Sequence, residues 1–166
     1  TCALPIFMDV IPMGEKATIG GLAIDIGTTT VSALLVDLET GKILAKGSTG
    51  NGQIRYGADV INRIIESTRV GGRKKLKKAI VDETLLPLID GLCHEAKIPS
   101  DGIYRICVAG NTTMNHLLVG VNADPIRMEP YIPAFFETNS VFAVDLGIEV
   151  SSSTRVRIAP NVGSYV

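Results

Sequence analysis

The chain has 166 residues, of which 46% are apolar, with a mean hydropathy of +0.30 and a formal net charge of −1. That is enough for one domain with its own core, and it excludes a disordered chain. The near-neutral charge leaves no footprint for nucleic acid or an anionic membrane surface, and no apolar run reaches the roughly 18 residues that a membrane span needs.

Residues 1–19 carry Pro5, Pro12, Gly14 and Glu15-Lys16 and read as a linker or the tail of a preceding domain. No basic segment precedes the apolar start, so a signal peptide is not expected. Gly21 to Gly27 reads as a buried strand interrupted by one acid, Asp25. A lone carboxylate in an apolar strand is costly unless it is paired or sits at an edge or cleft. Gly27 then permits close approach to the backbone, and Thr28, Thr29 and Thr30 follow with three hydroxyls. Acid, glycine and hydroxyls together suit a metal-phosphate group: the carboxylate holds a hydrated cation, and amides and hydroxyls face phosphate oxygens. An ordinary hairpin with a polar turn satisfies the same short motif. Thr30 to Leu38 is the second strand, Glu39-Thr40-Gly41 a turn, and Lys42 to Gly47 the third strand. The short connection makes these strands antiparallel neighbours.

Ser48 to Tyr56 reads as a loop, followed by a helix over about residues 58–68. Val60, Ile61, Ile64 and Ile65 make its apolar face, with Arg63 and Glu66 on the opposite one. Gly71-Gly72 ends it. The basic run Arg73 to Lys78 fits a contact for an acidic partner or phosphate. It fits better as the solvated side of a helix whose stripe is Leu76, Ile80, Leu85, Leu88 and Leu92. Pro87 should kink or divide that helix, and His94 lies near its end as a cap or surface residue.

Ile103 to Ala109 reads as a strand in which Ile106, Cys107 and Val108 run together, and that apolar stretch predicts a central parallel strand buried on both faces. It runs into Gly110-Asn111-Thr112-Thr113 and a helix to Val119, with Met114, Leu117 and Leu118 inward and His116 structural. The amides of this second junction attract anions, and Asn111 or Thr112 can also simply cap the helix. Residues 124–138 interleave three prolines with Tyr131, Phe135 and Phe136 and read as a loop covering the core. Residues 141–150 fit a short strand or a helical turn equally. Arg155 to Pro160 is a last strand, entering the Asn161-Val162-Gly163 turn. Cys2, Cys93 and Cys107 lack CxxC spacing, so no zinc or cluster site is readable. Three reduced thiols, two of them on core faces, suit a cytoplasmic protein. Without an initiator Met and with a strand and turn at its end, the chain is expected to be a piece of a longer protein.

The order β-β-β-α-α-β-α-loop-β predicts an α/β domain with a mixed five-stranded sheet, three antiparallel strands then parallel ones, and helices on its faces. Ligands in such sheets bind at the carboxyl ends of strands near a change of direction. That would bring Asp25, Thr28, Thr29, Gly110 and Asn111 towards one cleft.

The DxGTTx turn, Asp25-Ile26-Gly27-Thr28-Thr29-Thr30, resembles the first phosphate motif of the actin-Hsp70-sugar kinase superfamily. Four segments, Gly21 to Val31, Gln53 to Ile61, Gly110 to Leu118 and Ala159 to Gly163, more closely resemble the ATP-dependent reductive activators of corrinoid proteins, an iron-sulfur ATPase family. The resemblance implies two RNase H-like halves with nucleotide between them, of which residues 20–166 are the first. It implies ATP hydrolysis driving reduction of a partner corrinoid protein from Co(II) to Co(I). Asp25 would position hydrated Mg²⁺, and Gly27, Thr28, Thr29 and Thr30 would cradle phosphates. Gly110, Asn111 and Thr112 would line the cleft near the attacked phosphorus, so that Asp25 and Asn111 carry the catalysis. Gln53 to Asp59 would serve partner contact or the cleft wall. An iron-sulfur cluster is expected only in a part of the parent absent here, as are the second phosphate motif and the adenosine loops. The parent would hydrolyse ATP, whereas this chain alone is expected to be inactive. Gly52 stands where proline is expected before Gln53, which should loosen that loop. An apolar face left open between the halves could drive association into a homodimer. Two other readings remain: a small-molecule kinase of the same superfamily, with Asp59 or Asp145 as the acid that accepts a proton, and a non-catalytic module binding a partner through the proline-aromatic loop.

Overall fold

Alternation of apolar and polar residues sets the first strands. The structure is a computed structural model that describes residues 17–161; the expected linker over residues 1–16, Cys2 and the turn beyond Asn161 lie outside the described residues. β1 (Gly20–Ile26), β2 (Thr30–Asp37) and β3 (Ile43–Gly50) form the expected antiparallel meander. Leu22, Ile24, Ile26, Val31, Ala33, Leu35 and Ala45 are buried, while Ala23, Asp25, Ser32, Leu34 and Lys46 between them are exposed. β4 (Ile103–Gly110) runs parallel to β1, and β6 (Arg155–Ile158) parallel to β4. With β5 at Val141–Phe142, the strand order is β3-β2-β1-β4-β6-β5. The domain is α/β and RNase H-like, with six strands instead of the predicted five. The added strand comes from the undecided stretch, which divides into β5 (Val141–Phe142), antiparallel to β6, and a helical turn α5 (Ala143–Leu146).

Four longer helices, α1 (Val60–Thr68), α2 (Gly72–Ile80), α3 (Leu86–Ala96) and α4 (Thr112–Val119), join the buried strand residues in one core. The predicted stripe holds: Leu76, Ile80, Leu85 and Leu92 are buried, and Leu88 packs against them. Full burial of each such side chain contributes about 2 kcal/mol. Arg73, Lys74, Lys75 and Lys78 are exposed, as the solvated-face reading requires. Pro87 does not divide the helix. A π-helical turn over Val81–Leu85 precedes it, and Pro87 sits in the first turn of α3. The wider turn relieves the clash a proline ring makes with the carbonyl four residues back. Among the described residues, no helix is long and apolar enough to cross a membrane.

Five further expectations are corrected. β4 is central and parallel but buried on one face only, because Arg105, Cys107 and Ala109 are exposed. The helices cover one face of the sheet among the described residues, and the other face is open. Cys107 therefore lies outside the core, and Cys93 alone of the described cysteines is buried. In α1, Arg63, Ile64, Glu66 and Ser67 are buried, whereas Ile61 and Ile65 are 36% and 38% exposed. Gly52 does not loosen its loop. Its N–H donates to Thr84 Oγ1 at 3.0 Å, which proline could not do, and a Cβ there would meet Ala79 O and Thr84 Oγ1 at 2.9 Å each.

Candidate functional site

Parallel pairing places the ends of β1 and β4 side by side, Asp25 opposite Ala109 and Ile26 opposite Gly110. β1 then turns sharply. Gly27 N–H donates to Thr30 O at 3.0 Å, and a Cβ at Gly27 would lie 2.5 Å from that oxygen, so no side chain fits. The three carbonyls of the turn are all tied back into the protein. Gly27 O accepts from Asn51 Nδ2 at 2.9 Å, Thr28 O from Arg63 Nη2 at 2.5 Å, and Thr29 O from the Asn51 backbone N–H at 2.8 Å. The amides of Thr28 and Thr29 donate to no group among the described residues. Thr28 is half-buried and Thr29 exposed, so both amides are open to solvent or a ligand, and consecutive open amides are suited to an anion.

The second junction meets the first. Asn111 caps α4, its Oδ1 accepting from Met114 N–H at 2.9 Å, while its Nδ2 donates to Thr28 Oγ1 at 3.2 Å. One side chain thus fixes the helix N-terminus and the β1 turn against each other. Gly110 is crowded too: a Cβ there would lie 3.0 Å from Ile26 O and 3.2 Å from Asn115 Oδ1. Asn115 is fully buried, donating from Nδ2 to Gly110 O and to Asn161 Oδ1.

Of the predicted site residues, Gly27, Thr28, Gly110 and Asn111 come together and are half-buried, and Thr29 and Thr30 are exposed at the same turn. Thr112 is set apart, at 2% exposure. Asp25 lies on the open face of the sheet, in a groove of about 840 Å³ shared with Ser32, Lys46, Ser48, Cys107 and Arg157. Its carboxylate has no hydrogen bond or ion pair among the described residues. No group of three or more His, Cys, Asp or Glu could hold a metal ion among them either. A single carboxylate suits Mg²⁺, which keeps several waters and completes its shell with phosphate. Asp59 is engaged in capping α1, accepting from Asn62 N–H at 2.8 Å and Asn62 Nδ2 at 2.7 Å, and Asp145 is exposed in α5.

Sequence reasoning missed Asn51, Arg63 and Asn115. Of the Gln53–Asp59 stretch, expected at the cleft wall or a partner contact, Gln53 packs behind the turn, whereas Ile54, Arg55, Ala58 and Asp59 are exposed. Gln53 is fully buried, with its N–H on Asn51 Oδ1 at 2.9 Å and its Nε2 on Leu76 O at 3.0 Å.

The proline-aromatic loop closes over α4 as expected. Phe135 stacks on His116 with ring centroids 4.3 Å apart, and Asn161 Nδ2 donates to Phe135 O at 3.0 Å. His116 is structural. Its Nε2 accepts the Ala134 N–H at 3.0 Å, so its Nδ1–H donates to Thr112 O at 2.6 Å and the ring is neutral. Burial holds its pKa below the ordinary histidine value, against the raising effect of the Thr112 bond. The unfolded chain therefore binds the proton better. The stability this contributes is complete above about pH 6.5 and is lost as pH falls through the folded-state value. Thermal melts at decreasing pH should show that loss, and a His116→Gln variant should lack it.

A family model described as the RACo middle region matches residues 20–166. The chain is 34% identical over 161 residues to the corrinoid activation enzyme RamQ of Eubacterium limosum, covering 96% of this chain and 27% of that protein. A solved structure described as a reductive activator for corrinoid, iron-sulfur protein superposes with a TM-score of 0.88 at 44% identity, covering 92% of this chain and 24% of that one. The chain thus spans about a quarter of the length of these relatives.

Proposed function

The chain belongs to the RACo middle-region family, and from that membership we propose that residues 20–166 are the phosphate-binding first half of an actin/Hsp70-like ATPase domain, in a cytoplasmic protein that reactivates a corrinoid protein. The observation that carries this reading is the β1 turn: its three carbonyls are tied back, two amides are left free, and Asn111 joins it to the end of β4. The names of the relatives support a corrinoid protein as partner.

In this reading the Thr28 and Thr29 amides bind phosphate oxygens of ATP, and Gly27 lets them approach. Asn111 holds Thr28 in place, with Gly110 and the N-terminus of α4 beside it. Thr30 contributes the carbonyl that closes the turn, and Thr112 only its place in the α4 N-terminus, because its side chain is buried. Asp25 would hold Mg²⁺ through water, and the ion would supply counter-charge to the phosphate oxygens. Stabilisation of a transferring phosphoryl group is largely positioning and electrostatics, so no nucleophilic side chain is needed.

Reducing Co(II) to Co(I) takes one electron. In this reading the electron would reach the cobalt from an iron-sulfur centre in another part of the full-length protein, as the resemblance to the corrinoid activators implies. ATP could favour that uphill step only by binding unequally to two states of the complex. The test is ATP hydrolysis by the full-length protein with and without its corrinoid protein. Hydrolysis stimulated by the partner is expected. Phosphorylation of a small acceptor would select a kinase instead, and no response to nucleotide would leave a binding module.

A further inference from the structure

Arg63 is fully buried, yet no carboxylate lies within ion-pair distance of it among the described residues. Its guanidinium is held by neutral groups only. Nε donates to Gly57 O at 2.8 Å, Nη2 to Thr28 O at 2.5 Å, and Nη1 to Gln53 Oε1 at 3.4 Å, with Met114 Sδ at 3.3 Å from Nη1. Burial lowers its pKa, and Asp59, which caps the same helix, offsets this from a distance. A buried charge without a partner is strongly unfavourable, and a hydrophobic residue of similar volume would fill the space without that penalty. The position is also the place where α1 abandons its expected face, burying Arg63 and leaving Ile61 and Ile65 exposed.

The connectivity supplies a reason. Thr28 C=O and Thr29 N–H belong to one peptide unit. Arg63 Nη2 bonds its oxygen, and its N–H is free. A cation on the carbonyl polarises the peptide and makes the N–H a stronger donor, because hydrogen bonds in series strengthen one another. Asn51 Nδ2 does the same, without charge, for the peptide joining Gly27 to Thr28.

The geometry points to Arg63 as the positioning residue of the anion site, one that holds the β1 turn and passes its positive charge through the Thr28–Thr29 peptide to a bound polyphosphate. The phosphate would in turn be the counter-ion that the guanidinium lacks. This rests on the phosphate-site reading above. Lysine cannot replace the fork, because arginine alone reaches Gly57, Gln53 and Thr28 together.

The test is calorimetric titration of the full-length protein, wild type, Arg63→Lys and Arg63→Gln, with Mg-ATP and with adenosine, each variant also melted thermally. Arg63→Gln should bind Mg-ATP about tenfold more weakly, the worth of one charge-assisted bond, with adenosine affinity unchanged. Arg63→Lys should restore part of the ATP affinity without restoring the melting temperature. Equal losses for ATP and adenosine, or no loss in a folded variant, would make Arg63 a packing residue and overturn the proposal. Failure of both variants to fold would do the same. If the wild type ignores Mg-ATP, the phosphate-site reading fails first and this inference falls with it.

Discussion

Replacing Gly27 with alanine in the full-length protein should weaken Mg-ATP binding by about 100-fold. The new Cβ would lie 2.5 Å from Thr30 O, a backbone atom that cannot move without opening the turn. Opening it breaks the Gly27–Thr30 bond and shifts the Thr28 and Thr29 amides. Two amide bonds to a charged ligand, each worth about 1.5 kcal/mol or more, account for that factor. Gly41→Ala is the matched control. Gly41 has a φ of +73°, and a Cβ there meets nothing within 4 Å, in the hairpin between β2 and β3. It should cost about 1 kcal/mol of stability through backbone strain and leave nucleotide affinity untouched. Calorimetry and thermal melts on both variants check the pair. Similar losses of ATP affinity in the two would assign the Gly27 effect to general destabilisation.

Asp25→Asn should uncouple nucleotide binding from magnesium. The substitution keeps the shape and removes the charge of a carboxylate that has no partner among the described residues, so the fold should tolerate it as it does an ordinary surface change. Across the sheet Asp25 faces Ser32 on one side and Ala109 on the other, small neighbours that leave room for a hydrated cation. ATP affinity in the wild type should rise with Mg²⁺ concentration, and in the variant it should stay flat, about tenfold or more below the wild-type plateau, as expected for losing a hydrogen-bonded charge. An unchanged magnesium response would remove Asp25 from the metal's surroundings.

Most of the fold was legible because its signals are local. The meander follows from three runs with alternating burial and two short turns, and the α2–α3 stripe from the spacing of its leucines. The sheet's open face was not legible from β4. Ile106, Cys107 and Val108 run together as apolar residues on both sides of the strand, and in sequence alone an apolar residue on the open face cannot be told from one that is covered. β5, only two residues long, carries no periodicity of its own.

At the site, the turn and Asn111 were readable because glycine, hydroxyls and a cap occur in sequence order. Arg63 was not. Periodicity assigned it to solvent, since Val60, Ile61, Ile64 and Ile65 outvote a cation. Tertiary structure reversed the choice because the carbonyls of Gly57 and Thr28 sit where that helix face lands. A local rule broken without local compensation marks a place where function sets the sequence. Asn51 and Asn115 were hidden for a related reason: their partners, Gly27 and Asn161, are far away in the chain.

The most direct test of the central claim is calorimetric titration of ATP into the wild-type full-length protein, once with Mg²⁺ and once with the metal chelated. A phosphate site built on the β1 turn predicts saturable binding that strengthens with magnesium. A full-length protein that folds and shows no heat of nucleotide binding in either condition would contradict it.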